Sequence, residues 1–131
     1  MKLSEFDFRI WSELENGYIE YPALVRLNSV LPAKSHYVNE LIPDVKFDER
    51  HDEKELELWT GLCDNNGKKI YEGDIISIYV SGDFINYTVV YDKDKASFVA
   101  IVDDYEEDFT RYSDIEVIGN IHENEEILKD I

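Results

Sequence analysis

Apolar and polar positions alternate from the start of the chain: Phe6, Phe8 and Ile10 fall on one side of an extended backbone, Asp7 and Arg9 on the other. A period of two over residues 6–11 predicts a half-buried strand. Asn16-Gly17 offers the positive φ of a tight hairpin turn, and Tyr18-Ile19-Glu20-Tyr21 reads as the returning strand. The period then fails. Residues 22–43 hold all 3 prolines. Residues 23–31 suit either a short helix started by Pro22 and stopped before Pro32, or an extended edge segment. Residues 44–58 are mostly charged and predict a surface loop followed by a strand, pinned by Val45, Phe47, Leu56 and Leu58. Beyond Leu58 the signal sharpens. Leu-Glu-Leu-Trp-Thr-Gly-Leu-Cys-Asp reads as a strand and Asn66-Gly67 as a turn. Residues 68–80 form a strand broken by a second turn at Glu72-Gly73-Asp74. Residues 84–91 and 96–102, rich in β-branched and aromatic side chains, are strands joined by the polar Asp92–Lys95, and residues 115–121 are one more. The tail from His122 predicts one or two helical turns, with Ile127, Leu128 and Ile131 facing inward.

Short strands at close spacing predict a chiefly β fold built around a small barrel or roll, with an α+β arrangement as the alternative. The division falls near Leu58. Residues 1–58 carry the hairpin and an irregular region, residues 59–131 the barrel with a short C-terminal helix. Hydrophobic residues at 44% and aromatics at 13% are enough for a core in 131 residues. A net charge of -17 repels nucleic-acid phosphate and anionic lipid, so neither direct nucleic-acid binding nor membrane binding is expected. The charge is uneven, with 13 acidic and 7 basic residues up to Leu58 and 17 and 6 after it. Cys63 is alone, which rules out an intrachain disulfide. The N-terminus has Glu5 and Asp7 where a signal peptide needs an apolar run, and the expected setting is the cytoplasm.

The stretch TGLCDNNGKKIYEGDII, together with FDFRIW near the start and IEVIGNIHENEEIL near the end, resembles the signature of the YopX-like family of phage and prophage proteins. The three pieces occur in order along the whole chain. The resemblance implies a phage or prophage origin, a chiefly β fold with an SH3-like barrel in the C-terminal part, and self-association. It implies no established enzymatic activity. Its motif residues here are Arg9, Trp11, Thr60, Gly61, Gly67, Tyr71, Gly73, Asp74, Gly119 and Asn120. Residues 22–50 have no counterpart in the pattern, and Cys63 and His122 stand where variation is expected.

Turn chemistry accounts for most of the central motif: Gly67 and Gly73 permit positive φ, and Asn65, Asn66 and Asp74 can bond neighbouring amides. The functional reading makes Thr60, Tyr71, Glu72 and Asp74 a contact surface at the barrel mouth. A calcium loop is excluded, because the alternating oxygen ligands and terminal glutamate of an EF-hand are missing. Asp103, Asp104, Glu106, Glu107 and Asp108 surround Tyr105 as an acidic patch, which suits a solvated loop or, less well, a cation site or acid–base pair. His36, His51 and His122 lack the spacing of a zinc site, and no nucleophile elbow or phosphate-cradling glycine loop is present. Tyr79, Tyr87 and Tyr91 suit either an exposed contact face or plain strand packing. The expectation is a non-enzymatic protein without a cofactor, acting by protein contacts and homo-oligomerisation, with a host or phage protein as a possible partner. Its alternatives are an acidic effector that imitates DNA and a metal-dependent hydrolase using the acidic patch.

Overall fold

Runs of β-branched, aromatic and alternating residues form strands throughout the computed structural model, which describes residues 1–20, 22 and 53–129. In chain order these are β1 (Phe8–Ser12), β2 (Gly17–Tyr18), β3 (Lys54–Cys63), β4 (Lys69–Tyr71), β5 (Asp74–Val80), β6 (Asp83–Asp92), β7 (Ser97–Val102), β8 (Tyr105–Glu107) and β9 (Ile115–Asn120). A short helix, α1 (Glu125–Lys129), follows, and 3-10 turns occupy Leu3–Glu5 and Phe109–Arg111. The chain divides into two compact units, one of Met1–Arg9 with Leu56–Ile131 and one of Ile10–Glu55.

In the shorter unit Trp11 pairs with Tyr18 and Ser12 with Gly17, while Asn16 takes a φ of 52° in the turn. A hairpin forms here, but its loop is residues 13–16 and not a tight Asn16-Gly17 turn: Asn16 alone takes the positive φ, and Gly17 is already paired in β2. The Trp11 ring meets Tyr18 edge-on, 5.1 Å between centroids. Ser12 Oγ donates to Glu53 Oε2 at 2.8 Å. Lys54 beside it, with Ser12 and the Leu14 amide, holds the Glu53 carboxyl down to about 2. The expected helix or edge segment at residues 23–31 and the irregular region around it lie outside the described residues.

The longer unit is built on a curled five-stranded antiparallel sheet in the order β8-β7-β6-β5-β9. Ile76 faces Tyr87, Ile78 faces Ile85 and Val89 faces Ala100 across neighbouring strands, so these side chains share one face. With Ile70, Phe109 and Ile115 they make the core. Each fully buried isoleucine stabilises the fold by roughly 1.5–3 kcal/mol. Ile75 and Ile76 point to opposite faces yet both are buried, so both faces are covered where β5 begins. Opposite them the register of β9 shifts, with Ile75 facing Gly119 and Ile76 facing Val117. Such a bulge increases local twist and curls the sheet. The chiefly β barrel or roll predicted from the pattern is the fold observed.

β3 and β4 belong to a second sheet, in which Trp59 pairs with Tyr71 and Cys63 with Lys69. The extra residues of β3 bulge between those pairs. Gly61 takes a φ of 89° there, and Thr60 Oγ1 donates to the Ile70 carbonyl at 2.8 Å while accepting from Leu62 N. The loop after β3 then covers the outer edge of β9. Asn65 N donates to the Ile115 carbonyl, Asn65 Oδ1 accepts from Ile115 N, and Asp64 Oδ2 accepts from Val117 N.

Three local expectations need correcting. The acidic stretch from Asp103 is not simply a solvated loop: Tyr105–Glu107 pairs with β7 as an edge strand, and Phe109 is fully buried. In β3 the faces are reversed, with Leu56 44% exposed and Glu57 3% exposed, because Glu57 carries an ion pair inward. Tyr87 is a core residue at 2% exposure and not part of an exposed face. In the tail Ile127 and Leu128 are half-buried.

Candidate functional site

Four of the motif residues meet in one place. Arg9, near the start of β1, sends its guanidinium between β3 and the turn before β5. Its Nε donates to Glu57 Oε1 at 2.7 Å, and its Nη2 donates to Asp74 Oδ1 at 2.7 Å and to the Glu72 carbonyl at 3.3 Å. The same guanidinium lies 4.7 Å from the centre of the Tyr71 ring, in cation–π range. Asp74 uses its second oxygen to accept from Tyr71 N at 2.8 Å, closing the turn that Glu72-Gly73 makes. Glu57 uses its second oxygen on His122 Nε2, 2.9 Å away. The planar fork of arginine suits this arrangement in a way that a lysine ammonium would not.

Gly73 completes the cluster by what it lacks. Its φ is 87°, and a Cβ on it would lie 2.6 Å from Glu57 Oε2. Its amide donates to the Val89 carbonyl and its own carbonyl accepts from Ile121 N, tying the turn to β6 and to the end of β9.

Burial governs the electrostatics. It raises the Asp74 carboxyl, against the Tyr71 amide and Arg9, which favour the charged form. Asp7 sits on the open side of the cluster, where the Tyr71 hydroxyl and then the Lys69 ammonium hold its carboxyl low. Burial and the Asp7 carboxylate together push the Tyr71 phenol well up. Lys69 Nζ is 2.9 Å from Asp7 Oδ2 and 4.5 Å from the Trp59 ring centre. Both oxygens of Asp74 and of Glu57 are thus engaged by protein groups. The arrangement braces one strand against a turn.

The other motif residues fall outside this cluster. Trp11 belongs to the hairpin, and Thr60 and Gly61 shape the β3 bulge. Gly67, at a φ of 80°, closes the loop that Asp64 organises. Gly119 leaves room for the Asn124 side chain, which would lie 2.6 Å from an added Cβ. Asn120 Oδ1 accepts from His122 N and Glu123 N, starting the turn before α1. Of the three tyrosines suited either to a contact face or to strand packing, Tyr79 and Tyr91 are exposed, at 46% and 47%. Tyr79 stacks edge-on with Phe84, and Tyr91 with Phe98. In the acidic patch, Asp103 and Asp104 stand exposed in the β7–β8 turn, Glu106 pairs with Lys95, Glu107 accepts from Tyr112, and Asp108 caps a 3-10 turn. Sequence reasoning missed Glu57, Asp64 and Asp7.

The fold and the cluster define a small β-roll protein in which a half-buried guanidinium, paired with two buried carboxylates, locks the first strand to the central turn. The chain belongs to the YopX protein family, whose family model, described as YopX protein, matches residues 7–129. A solved structure, the crystal structure of protein EF1440 from Enterococcus faecalis, shares the fold. The TM-score is 0.59 at 23% identity, over 94% of this chain and 97% of that one. No curated protein matches this chain. Among the described residues no helix is long and apolar enough to cross a membrane.

Proposed function

We propose that the chain works without catalysis, through protein contacts, and that it self-associates through the outward face of the β5–β6 hairpin. The observation that supports this reading is the Tyr79–Phe84 pair. The two residues face each other across the strands, their rings 5.1 Å apart, and stand 46% and 65% exposed. Aromatic side chains of this kind anchor protein interfaces, because they bury a large area with few torsions to fix. The Glu72-Gly73 turn and the ion cluster then act as a scaffold that holds the hairpin rigid, in keeping with a phage or prophage protein meeting phage or host proteins in the bacterial cytoplasm.

Light scattering coupled to size exclusion tests it. The natural chain is expected to run as a discrete oligomer, and Tyr79→Ser with Phe84→Ser as a monomer with an unchanged melting temperature. A natural chain that stays monomeric at high concentration would remove self-association from the reading.

A further inference from the structure

β7 is longer than the strand beside it. On one side Ser97 to Ile101 pair with β6, whereas on the other β8 pairs only with Ala100, Ile101 and Val102. After Glu107 the chain turns away, because Asp108 caps the 3-10 turn through Thr110 N and Phe109 drops into the core. Among the described residues, Ser97, Phe98 and Val99 therefore have no strand partner on that edge. An open groove of about 400 Å³ lies at the same place, its lining combining the apolar Phe98 and Val99 with Lys95, Glu106 and Asp108.

We infer that this notch docks an extended, basic segment of a partner protein, which adds as a short strand beside Ser97–Val99. A strand edge supplies backbone donors and acceptors that pair with any extended peptide, and the neighbouring side chains set its preference. Here the preference is cationic. Glu106 and Asp108 flank the edge on a chain of net charge -17. The Lys95 ammonium, reaching from the β6–β7 turn to Glu106 Oε1 at 2.7 Å, occupies the position that a guest cation would take. Its side chain is 62% exposed, so it can swing aside for a guest and guard the edge otherwise. A second copy of this chain fits the notch poorly, since it would bring two sets of these carboxylates together. The notch is separate from the Tyr79–Phe84 pair, and either surface can fail without the other.

The probes are an alternating lysine–valine peptide, a lysine–proline peptide of equal charge whose prolines donate no backbone hydrogen bond, and a glutamate–valine peptide. Binding is read by fluorescence anisotropy and by amide hydrogen exchange at Phe98, whose N–H faces the open edge while the Ser97 and Val99 amides pair with β6. The lysine–valine peptide is expected to bind and slow exchange at this edge, and the lysine–proline peptide to bind roughly tenfold more weakly without protection. Glu106→Gln with Asp108→Asn, or Glu106→Gln alone, should weaken the lysine–valine peptide by up to about tenfold while exchange at Val89 and Ala100 stays unchanged. Equal binding of the two lysine peptides, or no slowing at the edge, would overturn the inference. So would protection that grows with the concentration of the chain alone, which would make the occupant a second copy.

Discussion

Gly73 has two independent reasons to be glycine, and they separate by measurement. Its positive φ alone makes alanine unfavourable by about 1 kcal/mol. The Glu57 carboxylate, 2.6 Å from where the new carbon would sit, adds a clash with a buried charge that has nowhere better to go. Gly67 has a similar φ, 80°, with nothing within 4 Å. In urea unfolding Gly67→Ala should therefore lose about 1 kcal/mol and Gly73→Ala about 2–3 kcal/mol; equal losses would show that the approach of Glu57 is easily relieved. Arg9 is the other decisive residue. Arg9→Met removes the guanidinium from between the buried Glu57 and Asp74 carboxylates, a change expected to destabilise by about 3–5 kcal/mol. Adding Glu57→Gln and Asp74→Asn should recover part of that loss, because neutral amides need no counter-charge. A triple variant less stable than Arg9→Met would refute the view of the cluster as paired buried charge.

At the scale of elements, the loop after β3 is what keeps β9 from ending in an open edge. Asp64 holds it, accepting from the Asn66 and Lys68 amides with one oxygen and from Val117 with the other. Burial works to raise its carboxyl, but the Val117, Lys68 and Asn66 amides outweigh it and leave the group below the ordinary 3.8. A depressed acid stabilises the fold when ionised, so its contribution is complete above 3.8 and is lost as pH falls through the lower folded value. Asp64→Asn should lower the melting temperature at neutral pH and make the acid-side decline shallower than in the natural chain. Parallel curves would show that Asp64 titrates alike in the folded and unfolded states. Element existence was largely legible beforehand, because β-branched and aromatic runs between Asn-Gly and Gly-Asp turns leave few alternatives. β8 was hidden because its three residues, Tyr105–Glu107, carry acids where a strand usually carries apolar groups. Only the neighbouring edge of β7 makes them a strand.

At the scale of the molecule, charge and aromatic exposure pull association in opposite directions. A net charge of -17 repels a second copy, while in the proposed self-association the exposed Tyr79–Phe84 pair attracts one. Salt screens the first with a Debye length of about 10 Å at 0.1 M and leaves the second intact. Raising the salt should therefore shift the chain toward the oligomer in sedimentation velocity. Dissociation at high salt would instead mean that ion pairs carry the contact, and would remove the aromatic face from it.

The amino-acid sequence by itself determined the chiefly β fold, the N-terminal hairpin, the turns at Gly67 and Gly73 and the family, because each rests on local propensity or on a contiguous motif. Tertiary structure alone decided which side of β3 faces inward. The sequence pattern pins this strand by Leu56 and Leu58, yet Leu56 is exposed and Glu57 is buried, where it pairs with Arg9, 48 positions earlier. The same holds for Tyr87 in the core, for Phe109 beneath an acidic stretch, and for the joining of Arg9, Tyr71, Gly73 and Asp74 into one cluster. A period of two says that neighbours face opposite ways, but which face meets the core is set by partners distant along the chain.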